Sequence, residues 1–174
     1  EPERVFAVHK GYADAGAQFI TANTFGANSL KYDNVDELVK AGVALAKKAG
    51  KYVALDIGPT GKLLKPMGDL EFERAVELFA EVVRAGKDGS DVAIIETMSD
   101  MYELKAAVIA VKENSDLPII TSMIFDESGR LLTGGDVKSA VAMLEGLRVD
   151  AIGFNCGLGP KQMIPLVKEL RECT

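Results

Sequence analysis

Tryptophan is absent from this sequence, histidine occurs once (His9) and cysteine twice (Cys156 and Cys173), and each scarcity removes a class of chemistry. Two cysteines in 174 residues cannot build a disulfide scaffold, so the reducing cytosol is the expected compartment. With His9 alone, a histidine-rich metal site or a Ser-His-Asp triad is excluded unless His9 takes part. Aromatic residues make up only 6% of the chain, too few for the stacking platforms that bind single-stranded nucleic acid. No block of basic residues is present either. Acidic residues outnumber basic ones 26 to 20, and the two signs interleave along helical stretches. That pattern reads as a solvated surface and argues against a nucleic-acid partner. No apolar run approaches the ~18–20 residues needed to span a bilayer. No basic-then-apolar leader opens the chain, and neither membrane insertion nor secretion is expected.

What is present is a repeating unit. The chain is 48% hydrophobic, enough for one globular domain with a buried core. Apolar runs rich in Val, Ile and Phe recur at Phe19 to Phe25, Tyr52 to Ile57, Asp91 to Glu96, Leu117 to Phe125 and Asp150 to Cys156. Continuous runs of this kind suit strands buried on both faces of a parallel sheet. Between them lie amphipathic helices, with Val35, Leu38, Val39, Val43 and Ala46 on one face of the first crossover. Phe72, Ala75, Val76, Phe79, Val82 and Val83 repeat the pattern, as do Leu104, Ala107, Val108 and Val111. Asn34 with Glu37, and Asp100 with Glu103, have the spacing of capping boxes. Pro160 suits a first helical position, and Gly16, Gly50, Gly86 and Gly146 fall near helix ends, where a left-handed residue is often needed.

Five βα repeats of about 30 residues predict an α/β fold. The chain opens with a helix, about 2 to 15, and closes with another, about 160 to 172. A strand is therefore expected upstream. A (β/α)8 barrel needs ~250 residues, whereas five strands also suit a flavodoxin-like open sheet. Spacing alone does not choose between the two.

In either architecture the working face lies at the carboxyl ends of the strands. Those ends carry Asn23 and Thr24, Asp56, Glu96 and Thr97, Thr121 and Ser122, and Asn155 and Cys156. Each alone is explained by a cap or a loop hydrogen bond, but together they outline a site. Cys156 is the sharpest of them, because Gly157, Leu158 and Gly159 follow it and should leave its sulfur at the mouth of the sheet. The alternative for Cys156 is an inert, packed thiol; reactivity would require a metal, a cation or a helix amino terminus to lower its pKa. Cys173, on the last helix, marks no site. The stretch Gly58 to Lys62 lacks the first glycine of a phosphate loop and has Leu63 where Ser or Thr belongs. Gly157-Leu158-Gly159 lacks the third glycine of a dinucleotide fingerprint, Gly134-Gly135 reads as a turn, and His9 as a surface or packing residue.

Five segments carry a more specific signal: TANTFGAN (21–28), DIGPTGKLLKPMG (56–68), IETMSDMYELKAAV (95–108), FDESGRLLTGGD (125–136) and GFNCGLGP (153–160). In this order they resemble the homocysteine-binding module of the methionine synthase and homocysteine S-methyltransferase family. The likeness is greater to the cobalamin-dependent branch than to the betaine-dependent one. The resemblance implies a (β/α)8 barrel, with the five strands as its second to sixth, so that residues 1–174 form one domain truncated at both ends.

The function implied is methyl transfer to the thiolate of homocysteine, giving methionine. By the same resemblance zinc is bound through three cysteines, of which Cys156 is the catalytic metal ligand present here. The other two belong to a Gly-Gly-Cys-Cys-Gly segment that residues 1–174 do not contain. Zinc turns a thiol into a thiolate, and an open coordination position admits the substrate. Glu96 matches the carboxylate near the substrate ammonium, while Asn23, Thr24, Asp56, Ser122 and Asn155 match substrate-binding or rim positions. Methylcobalamin and methyltetrahydrofolate are implied only for other methionine synthase domains or a separate cobalamin protein. The alternatives are a catalytically inert barrel fragment, or a small-molecule-binding α/β module without a complete metal site.

Overall fold

Each apolar run forms a strand and each amphipathic stretch forms the helix after it. The computed structural model describes residues 1–174 throughout. Helix α1 (Pro2–Asp14) leads into β1 (Phe19–Thr21), followed by α2 (Val35–Lys48), β2 (Tyr52–Ile57), α3 (Phe72–Gly86) and β3 (Val92–Met98). Then come α4 (Met101–Asn114), β4 (Ile119–Met123), α5 (Val137–Gly146), β5 (Ala151–Phe154) and α6 (Pro160–Cys173). No helix is long and apolar enough to cross a membrane.

Four strand limits differ from the sequence pattern. β1 stops at Thr21 because the chain turns at once, Thr24 N donating to Ala22 O at 2.8 Å. β4 begins after Pro118, which has no N–H to offer a ladder. β3 runs past Glu96 to Met98 through an irregularity in its register with β4, where Thr97 adopts φ 66°. β5 ends at Phe154, which leaves Asn155 and Cys156 in the loop that follows.

The sheet is parallel, in the order β1-β2-β3-β4-β5. That order decides the architecture. A doubly wound sheet reverses direction partway and carries helices on both faces. Here the strands advance one way and each helix packs against the next, from α1 on α2 to α5 on α6. Burial agrees: Leu55, Ile57, Ile95, Ile119 and Met123 lie fully buried beneath the helices. On the opposite face Phe19 and Tyr52 are 51% and 60% exposed. The result is an arc of a (β/α) barrel, and the open-sheet alternative falls.

The expected helix signals are realised in part. Gly16 and Gly50 are left-handed, at φ 100° and 76°. Gly86 is not; a Cβ there would stand 2.4 Å from Leu55 Cδ1, so close packing of α3 on β2 requires the glycine. Nor is Gly146 left-handed, and Arg148 takes φ 55° in its stead. Asp100 caps α4, Oδ1 accepting from Tyr102 N at 2.9 Å, yet Glu103 does not close a box. Its buried carboxylate accepts from Thr60 N at 2.8 Å and Thr60 Oγ1 at 2.6 Å instead. Asn34 caps no N–H of α2 and only reaches Glu37, at 3.5 Å. The reciprocal box lies at α5: Asp136 Oδ1 accepts from Ser139 N at 2.9 Å, and Ser139 Oγ accepts from Asp136 N at 3.1 Å.

Candidate functional site

Parallel register puts paired residues on the same face of the sheet, and alternation sends every second side chain to the helix-free side. Asp56 pairs with Ile94, Ile120 with Ala151 and Ser122 with Gly153. Asp56, Glu96 and Ser122 therefore project from the helix-free face, at the carboxyl end of the sheet. Thr121 falls on the other face, fully buried, and donates to Ala151 O at 3.2 Å.

Two polar groupings occupy this rim. The first is a cavity of about 490 Å³ between α1 and the first three strands, lined by Asn23, Asp56 and Glu96 with His9 and Tyr12 from α1. Asp56 is 5% exposed and its Oδ1 meets no donor. Burial, then the charge of Glu96, then a side-chain hydrogen bond with Glu96, push the Asp56 carboxyl up to about 8. His9 is also buried, with Nδ1 unpartnered.

The second grouping centres on Asn155. Its Oδ1 accepts from Ser122 Oγ at 2.8 Å, while Nδ2 donates to Thr97 Oγ1 at 2.8 Å and to Cys156 Sγ at 3.3 Å. Thr97 N donates to Ser122 Oγ at 3.4 Å. Cys156 and Gly157 are both left-handed, at φ 57° and 69°. For a residue with a Cβ that conformation costs roughly 1–2 kcal/mol, and here it accompanies an exposed Cys156. β3 joins the two groupings, through Glu96 in the cavity and Thr97 in the network.

Asn23, Asp56 and Glu96 are thus brought together, as are Ser122, Asn155 and Cys156. Thr24 joins neither. It is buried, its Oγ1 donates to Asp56 O at 2.7 Å, and its methyl lies beside Gly42 of α2. It props the end of β2 and does not line the cavity. The sequence reading missed His9, although Val5, Val8, His9 and Tyr12 have the helical spacing of one face turned to the cavity. It also missed the link from Thr97 to Asn155, for which no local signal exists.

A catalytic zinc takes three protein ligands. No three His, Cys, Asp or Glu side chains gather as a ligand set, and Cys173 lies on α6, away from the rim. The residues present do not fit the ion by themselves. What they provide is one thiol held at a rim, beside an acidic cavity suited to a cation.

Residues 1–174 match the Homocysteine S-methyltransferase family along their whole length. The chain is 28% identical to the methionine synthase of Mycobacterium leprae over 192 residues, covering 98% of this chain and 16% of that protein. The methionine synthase of Mycobacterium tuberculosis is likewise 28% identical over 190 residues, with 97% and 16% covered. The chain therefore spans about a sixth of the length of these curated relatives. The fold superposes on the homocysteine methyltransferase MmuM of Escherichia coli over 100% of this chain and 69% of that one. The TM-score is 0.85 for its apo form and 0.87 for its metallated form, at 24% and 23% identity. The structural likeness establishes a shared barrel fold, and the family match over every residue establishes kinship: the chain belongs to the homocysteine S-methyltransferase family.

Proposed function

We propose that this chain is the homocysteine-binding module of a methionine synthase-like enzyme, in which a methyl group passes to the homocysteine sulfur and yields methionine. The observation that carries the reading is the side-by-side placement, along β3, of an acidic cavity and a hydrogen-bonded cysteine rim. An amino acid thiol has two ends to satisfy. Glu96, with Asp56 and Asn23 beside it, receives the ammonium group by charge and hydrogen bonding. Ser122 and Asn155 orient the rim from which Cys156 presents its sulfur.

Cys156 is the catalytic ligand this chain contributes toward zinc. The remaining sulfur donors come from outside residues 1–174, and until they are supplied the isolated chain is inactive. The likeness of the DIGPTG and FDESGR segments to cobalamin-dependent enzymes supports methylcobalamin, recharged from methyltetrahydrofolate, as the methyl source. Both are carried by other domains or by a separate cobalamin protein.

Titration of the purified chain with L-homocysteine tests the reading by calorimetry. Binding should be measurable and should weaken about tenfold or more in Glu96→Gln, consistent with loss of a charge-assisted contact of about 1.5–3 kcal/mol. Absence of any homocysteine binding at millimolar concentration overturns it.

A further inference from the structure

The cavity beneath α1 holds two carboxyl groups and, as its one basic side chain, a histidine. Its titratable lining groups are His9 and Tyr12 from α1, Asp56 from β2 and Glu96 from β3, and no lysine or arginine reaches it. Asp56 and His9 are 5% and 6% exposed, and Asp56 Oδ1 and His9 Nδ1 both lack a hydrogen-bond partner. Like charges this close in a desolvated site cannot both ionise freely, so a carboxyl pair of this kind keeps one proton.

We infer that Asp56 and Glu96 share a single proton, and that the ammonium group of the bound substrate displaces it, which makes ligand capture at this cavity an exchange of one cation for another. This rests on the reading of the cavity as the amino acid pocket. The exchange balances. The proton leaves Asp56 for solvent, the incoming ammonium brings one positive charge, and the net charge of the cavity is unchanged. A primary ammonium carries three N–H donors, and Asp56 Oδ1 is a buried acceptor without one. A quaternary ammonium has no donor to offer and should not compete. His9 adds a second unsatisfied polar atom to the same wall.

The consequence is pH-dependent affinity. Below the Asp56 midpoint of about 8, homocysteine should bind about tenfold more tightly for each pH unit gained, because one proton is released per ligand. Calorimetry at about neutral pH in two buffers of different ionisation enthalpy should register that release. Asp56→Asn should bind without proton release and with a flat pH profile, and 4-mercaptobutanoate, which lacks the ammonium, should release none.

Homocysteine binding with no proton release and no pH dependence overturns the inference and leaves the functional reading standing. If no homocysteine binds, the functional reading falls, and the shared proton is judged on the unliganded chain. There the Asp56 carboxyl carbon should titrate by NMR near 8 and fall in Glu96→Gln, though not to the ordinary range of about 4, because burial, the larger cause, remains. An Asp56 midpoint already in that range in the wild-type chain overturns it.

Discussion

Asn155 has one carbonyl and one amide nitrogen, and the fold spends both: Ser122 donates to the first, and the second donates to Thr97 and Cys156. Replacing it with Ala strands the Ser122 hydroxyl and frees the Cys156 loop. We expect Asn155→Ala to lower stability by about 1–3 kcal/mol, the range for a half-buried network left unsatisfied. The rate at which a thiol reagent modifies Cys156 should rise with it, since a left-handed Cys156 is no longer braced. Equilibrium denaturation and alkylation kinetics check the two halves. Asp56 sets a second expectation. Its carboxyl holds a proton up to about 8 in the folded chain, against about 3.9 when unfolded. The stability this contributes is complete below the unfolded value and is lost as pH rises through the folded one. The melting temperature should therefore fall from about pH 5 to about pH 8, and Asp56→Asn should flatten that slope.

Between elements, the buried Glu103 of α4 is tied to Thr60 in the loop after β2, two bonds that hold the GPTG turn against α4. Burial raises the Glu103 carboxyl above its ordinary range, while the bonds from Thr60 pull it down. Glu103→Ala leaves the Thr60 N–H buried without an acceptor, and we expect a loss of roughly 2–4 kcal/mol by urea denaturation. Packing of α3 on β2 depends on Gly86 in a similar way. Gly86→Ala places a methyl against Leu55, and overpacking of this kind costs about 1–3 kcal/mol. All five strands and all six major helices were legible in the sequence, because apolar runs and 3.6-residue spacing are local properties of the chain. Glu103 was not. It has the sequence spacing of a cap partner for Asp100, but its real partner lies 43 residues away, where a buried donor outweighs a local one.

At the scale of the molecule, β1 and β5 each keep one edge without a partner strand, and Phe19 and Tyr52, ring centroids 5.3 Å apart, lie exposed on the helix-free face. Unpaired edges and exposed apolar surface favour association. The isolated chain should show concentration-dependent oligomers by light scattering, and a monodisperse monomer that unfolds in one sharp transition would contradict this. The sequence by itself determined the order of elements, the polar strand ends and the kinship, since periodicity, turn residues and motifs are all written locally. Only the tertiary structure decided that the sheet advances one way into a barrel arc, that Thr24 turns under α2 while His9 turns into the cavity, and that Asp56 lies against Glu96. Those outcomes depend on which distant residues meet, as Thr97 and Asn155 do across 58 positions. Burial then gives such meetings their energy, and no stretch of chain carries that information alone.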